Sequence, residues 1–144
     1  MKNNGADVTA KYTNIGHDAS KFFPTATKEY LKLFLGSSFN ENGDKNPEQK
    51  GKLFMIDQSP YNIKGAHLFK IGFLYVPDHC RENKCPFHIW FHGCASTAGV
   101  YGDAAFRYIK ILEYASVNNM VVLFPQAWDP DFPYMPHCWA IGTG

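Results

Sequence analysis

The sequence contains no apolar run near the roughly 20 residues that a membrane-crossing helix needs. Its greasiest stretch, Ile71 to Val76, is bounded by Lys70 and Asp78, so no membrane span is expected. Excess charge is also missing, because 14 Lys and Arg stand against 13 Asp and Glu. A chain so balanced has no dense basic surface with which to displace counterions, so neither nucleic acid nor an anionic membrane is expected as a partner. The opening Met1-Lys2-Asn3-Asn4-Gly5 lacks the apolar core of an export leader. None of Ser20, Ser37, Ser38, Ser59, Ser96 and Ser116 has glycine both two places before and two places after it. Ser38 comes nearest, with Gly36 before it but Asn40 after it. The sharp strand-to-helix elbow that presents a nucleophilic serine is therefore not encoded. No internal repeat is visible.

What is present is material for one globular domain or less: 144 residues, 45% hydrophobic and 16% aromatic. Four cysteines, Cys80, Cys85, Cys94 and Cys138, form an even set that suits a secreted or other oxidising compartment. A parent chain longer at its N-terminus would reconcile that habit with the missing leader.

Residues 1 to about 24 are polar, interrupted by Gly5, Gly16 and Pro24, and are expected to be irregular. A short helix is expected from Thr25 or Thr27, with Leu31, Phe34 and Leu35 on one face and Gly36 at its left-handed exit. Ser37 to Gly51 is expected to be a surface loop. Together these make an N-terminal segment, 1–50, ahead of a core part, 51–144. In the core part, Lys52 to Ile56 and Ala66 to Val76 are β-rich runs around a turn-prone Ser59-Pro60-Tyr61-Asn62, which predicts an antiparallel pair. Phe87 to Phe91 is a short apolar run typical of a buried strand. A helix follows from about Asp103 to Val117, burying Phe106, Ile109, Leu112 and Ala115. Val121 to Phe124 closes a right-handed βαβ unit with parallel strands. The fold class is α/β.

In open α/β sheets the working loops lie beyond the carboxyl ends of the strands. His92-Gly93-Cys94 occupies such a position, and Gly93, free to adopt unusual torsions, could aim a backbone N–H into the crevice. By itself the tripeptide reads more readily as an ordinary strand-to-helix loop whose glycine only makes the turn. Its company is more specific. FKIGFLYVP (69–77), CRENKCPFHIWFHGC (80–94), NNMVVLFPQA (118–127) and His137-Cys138-Trp139 follow one another in the order found in poly(3-hydroxybutyrate) depolymerases and related esterases, which they resemble. LFMIDQS (53–59) also looks like the segment that precedes the first strands there.

The resemblance implies a partial α/β-hydrolase sheet and, for the parent protein, serine hydrolysis of an ester or polyester substrate without a cofactor or metal. It implies that the Cys94 N–H is an oxyanion-hole donor, that His92 supports the loop and that Trp139 walls the substrate crevice. After Trp139 the chain departs from the pattern, with Ala140-Ile141-Gly142 where relatives carry an acidic and two aromatic residues. The triad is implied to lie outside this chain, in the missing remainder of the domain. It follows residue 144 in the usual hydrolase order and precedes residue 1 in a circularly permuted one. The permuted order is favoured because Asn14 to Ala19 and the helix near Tyr30 to Leu35 resemble the stretch after the triad, with His17 as a loop residue. The chain alone is then expected to be inactive.

Pairing Cys80 with Cys85 and Cys94 with Cys138 satisfies disulfide reach, although four cysteines allow three connectivities. Two rival readings remain. One is a non-catalytic binding or interaction module on a degenerate hydrolase sheet. The other is a small disulfide- or zinc-stabilised domain, with His88, His92, His137 and the cysteines as the zinc ligands.

Overall fold

The computed structural model describes residues 19–63, 66–94, 96–128 and 137–139. Strands β1 (Gly51–Asp57) and β2 (Ile71–Pro77) pair antiparallel from Gly51↔Pro77 to Asp57↔Ile71, as the two β-rich runs predict. The second run does not extend back to Ala66. His67 has a φ of 48°, a left-handed torsion that a strand cannot carry. Leu68 instead makes an isolated antiparallel bridge with Ala127.

Strands β3 (Phe87–Ile89) and β4 (Val121–Phe124) are parallel neighbours, and the sheet order is β1-β2-β4-β3, with β4 antiparallel to β2. The expected single helix between them is three: α2 (Ala98–Tyr101), α3 (Ala104–Tyr108) and α4 (Ile111–Val117). Lys110 adopts a φ of 58°, which ends one helical segment and starts the next. The apolar face survives the break, with Phe106, Ile109, Leu112 and Ala115 all buried.

The N-terminal helix α1 spans Ala19–Leu35, six residues or more longer than the threonine caps suggested. Pro24, the sixth residue of this helix, supplies no N–H to its hydrogen-bond ladder. Gly36, at φ 63°, provides the left-handed exit. Leu31 is fully buried, but Phe34 is exposed and its ring lies 6.0 Å from that of His88. The sequence stretch Asn14 to Asp18 lies outside the described residues.

The loop after α1 is more anchored than its polar composition suggested. The Asn118 side chain accepts from the Asn40 N–H (2.7 Å) and donates to the Asn40 carbonyl (3.0 Å), and the Asp44 N–H donates to the Glu113 carbonyl (3.0 Å). Pro47 is buried beneath β1, where its carbonyl accepts from the Tyr75 hydroxyl at 2.8 Å. Gly51 is required there, because a Cβ would lie 2.6 Å from that hydroxyl oxygen.

One face of the sheet carries the core: Tyr75, Val122 and Phe124 meet Leu31 of α1, Phe106 of α3, and Ile111, Leu112 and Ala115 of α4. Alternation puts Phe54, Leu74, Leu123 and Ile89 on the opposite face, where the registers align them in one row across all four strands. The expectation that 87–91 forms a buried strand is corrected. It lies at the sheet edge, and Phe87, Ile89 and Phe91 are 51%, 41% and 61% exposed.

Candidate active-site loop

Beyond β3 the chain enters Phe91-His92-Gly93-Cys94, at the carboxyl end of a parallel strand as the sequence predicts. His92 is buried. Its Nε2 accepts from the Ala127 N–H (3.0 Å), so the proton of the neutral ring sits on Nδ1, which donates to the Gly93 carbonyl (2.8 Å). The Trp139 indole N–H donates to the His92 carbonyl (2.8 Å), and its ring stacks on the imidazole at 4.9 Å and meets Phe91 edge-on at 5.1 Å. The loop after β3 is thus bonded to the loop after β4 and to the segment that carries Trp139.

Cys94 is exposed at the turn, and the Ser96 N–H closes that turn onto the Gly93 carbonyl (3.0 Å). Among the described residues the Cys94 N–H has no hydrogen-bond acceptor. Gly93 does not use the torsional freedom expected of it, since its φ is outside the left-handed region. Among the described residues a Cβ there would meet the Ser96 hydroxyl alone, at 3.8 Å. The glycine keeps the surface over the loop bare rather than relieving strain.

The cysteines pair 80 with 85 and 94 with 138, the second bridge fastening the loop to the buried Cys138 beside Trp139. With no free thiol, the zinc reading loses its sulfur ligands. Its histidines are also dispersed: His88 pairs with the Tyr30 hydroxyl (3.2 Å), His92 with backbone groups, and His137 with the Thr97 hydroxyl (3.2 Å). Both disulfides are compatible with an oxidising compartment. Among the described residues no helix is long and apolar enough to cross a membrane.

Sequence reasoning missed the role of two buried amides. Gln126 accepts from the Ala98 N–H at the start of α2 (2.8 Å) and donates to the carbonyls of Phe124 and Pro125. Gln58 accepts from the Gln126 N–H (3.2 Å) and donates to the Gln126 and Phe69 carbonyls (3.1 and 2.9 Å), as a strand would. The PQA tripeptide was the available signal, for it contains both Gln126 and the Ala127 N–H that orients His92.

Burial holds His92 below its ordinary value of 6.5; the Gly93 bond opposes that shift and the charge of His137 adds to it. Burial lowers His88 as well. Because the unfolded chain then binds protons more readily, these groups contribute fully above about pH 6.5 and their contribution is lost as pH falls below it. The urea midpoint is expected to be flat from about pH 8 to 7 and to fall towards pH 5. The carboxylates of Glu41, Asp44 and Asp57 are themselves depressed and act only at lower pH. A midpoint unchanged between pH 7 and 5 would contradict the assignment of a neutral His92.

The fold and loop have counterparts among solved structures. A PHB depolymerase complexed with an R3HB trimer and the crystal structure of PHB depolymerase from Penicillium funiculosum each match at a TM-score of 0.58 and 30% identity, over 67% of this chain and 30% of theirs. The chain is a depolymerase-like relative of these proteins. Its mixed sheet is accordingly a partial α/β-hydrolase fold. Among curated proteins, a polyhydroxybutyrate depolymerase of Talaromyces funiculosus is 35% identical over 63 residues, 42% of this chain and 18% of that protein. A poly(3-hydroxybutyrate) depolymerase of Delftia acidovorans is 30% identical over 82 residues, 53% of this chain and 16% of that protein. The chain therefore spans less than a fifth of the length of the curated depolymerases it matches. No family model matches.

Proposed function

We propose that this chain forms the oxyanion side of a carboxylic-ester hydrolase of the poly(3-hydroxybutyrate) depolymerase kind. The Cys94 N–H is the donor to the developing oxyanion, His92 supports the loop and Trp139 walls the crevice. The observation that carries the reading is that Cys94, an exposed residue in the loop beyond a parallel strand, has an N–H without an acceptor among the described residues and sits in a loop held by His92 and a disulfide. The bare surface over Gly93 leaves room for a substrate carbonyl to approach the backbone. Serine, base and carboxylate come from the remainder of the hydrolase domain, which is the chain's partner. The substrate class is an ester or polyester, in keeping with the R3HB trimer bound by the solved relative.

Titration of the ¹⁵N-labelled chain with R3HB trimer tests this directly. The Cys94 amide and the Trp139 indole N–H are expected to shift together and saturably, while p-nitrophenyl butyrate is not turned over above background. No movement at Cys94 would remove the donor assignment. Turnover by the isolated chain that survives Ser96→Ala and Ser38→Ala would show that the chemistry lies elsewhere.

The absence of a Gly-x-Ser-x-Gly segment from this chain is met equally by a second reading, a non-catalytic module that binds the ester and cleaves nothing. A flanking coding sequence lacking that segment would select it.

A further inference from the structure

Thr97 is the buried N-cap residue of α2, yet among the described residues its side chain makes no capping hydrogen bond to that helix. A threonine at such a position ordinarily turns its hydroxyl on the orphan N–H groups of the first turn. Here the Ala98 N–H donates to Gln126 instead, and the Thr97 hydroxyl is hydrogen-bonded to His137 Nδ1 at 3.2 Å. Gly99, in the same turn, leaves room for that ring. Its φ lies outside the left-handed region, so its torsion requires no glycine. A Cβ there would lie 3.0 Å from His137 Cε1 and 3.6 Å from Nδ1. Trp128, beyond β4, meets the imidazole edge-on at 4.9 Å. A cap hydroxyl, a glycine and an indole are thus arranged around one side chain.

That side chain begins a run in which each residue reaches a different neighbour. Cys138 is bridged to Cys94, and the Trp139 indole N–H donates to the His92 carbonyl. Both contacts join the run to the loop after β3. Two attachments on adjacent residues leave a segment free to pivot about them, and a third placed elsewhere stops the pivot. Among the described residues His137 supplies that third attachment, to the start of α2 and to the loop after β4. We infer that His137 is a positioning residue, whose seat between Thr97, Gly99 and Trp128 sets the angle at which Trp139 walls the candidate crevice beside Cys94. It touches no reacting atom and acts on an ester substrate through Trp139. The inference rests on the proposed reading of Cys94 and Trp139 as one side of an ester-hydrolase site.

Gly99→Ala separates positioning from mere stability. Alanine favours a helix more than glycine does, Gly99 is exposed and His137 is half-buried and able to yield, so the urea midpoint is expected to hold or rise. The new Cβ presses on the ring and weakens its bond to Thr97. The Trp139 indole resonance of the free, ¹⁵N-labelled 144-residue chain is therefore expected to shift, and R3HB trimer to bind roughly three- to tenfold more weakly, the effect of one neutral hydrogen bond. In a His137→Ala background, Gly99→Ala should change neither the resonance nor the affinity, because the ring through which it acts is gone. Thr97→Val should move both readouts as Gly99→Ala does, and Thr97→Ser, which keeps the hydroxyl, should restore them. A Trp139 resonance unmoved by Gly99→Ala, or a Gly99→Ala effect equal with and without the His137 ring, would overturn the inference. So would weaker binding that only follows a lowered urea midpoint. Failure of the trimer to bind the unaltered chain removes the ester-site reading instead, and the Trp139 resonance still decides whether His137 holds that side chain.

Discussion

Gln126→Ala is expected to lower the unfolding free energy by about 3 to 5 kcal/mol, a large share of the roughly 5 to 15 kcal/mol that holds a domain together. The side chain bonds the Ala98 N–H and the carbonyls of Phe124 and Pro125, and all of its bonds are formed where water has little access. Each orphaned buried group costs about 1 to 3 kcal/mol, and alanine leaves a void besides. Gln58→Ala should add to the damage less than independently, because Gln58 holds the Gln126 backbone from the other side. Chemical denaturation of both single variants and the double variant measures this. A loss below about 1 kcal/mol for Gln126→Ala would mean that water replaces the amide and that the loops are not joined through it.

Replacing Cys94 and Cys138 together by serine should cost about 4 kcal/mol, against about 2 kcal/mol for the Cys80 and Cys85 pair. The ratio follows from loop length: the first bridge closes 44 residues of chain and the second only 5, so the first removes more freedom from the unfolded state. The two losses also differ in place. Without the 94–138 bridge, Trp139 keeps, among the described residues, its bond to the His92 carbonyl and its ring contacts, so Trp139 and His92 should gain exchange and mobility together. Equal destabilisation by the two pairs would contradict the loop-length account.

The expectations that held rest on local pattern. The face of α3 and α4 was legible because burial at 3.6-residue spacing is imprinted directly on Phe106, Ile109, Leu112 and Ala115. The β1–β2 pair was legible from its runs and intervening turn, and the two disulfides from cysteines placed within reach of one another. The misses come from non-local choices. The apolar run at 87–91 signals burial, but its composition does not say that the strand lies at the end of the sheet with Phe87, Ile89 and Phe91 exposed. Lys110 and His67 carry no turn signature of their own residue type, yet both adopt left-handed torsions. For the loop, its position after a parallel strand was legible, whereas the roles of Gln126 and Gln58 were not, since a buried amide looks like any polar residue until its backbone partners are known. The torsional freedom expected of Gly93 is not used, since its φ lies outside the left-handed region.

Strand order has its own consequence for assembly. Because β4 sits between β2 and β3, neither of those earlier strands touches the other, and each waits for a partner made some thirty residues or more after it. A chain cut before Val121 would hold only the β1–β2 hairpin, with β3 tethered to nothing. Closure of the sheet is therefore a single late event that seats Val122 and Phe124 in the core and draws the His92 and Gln126 loops together in the same step.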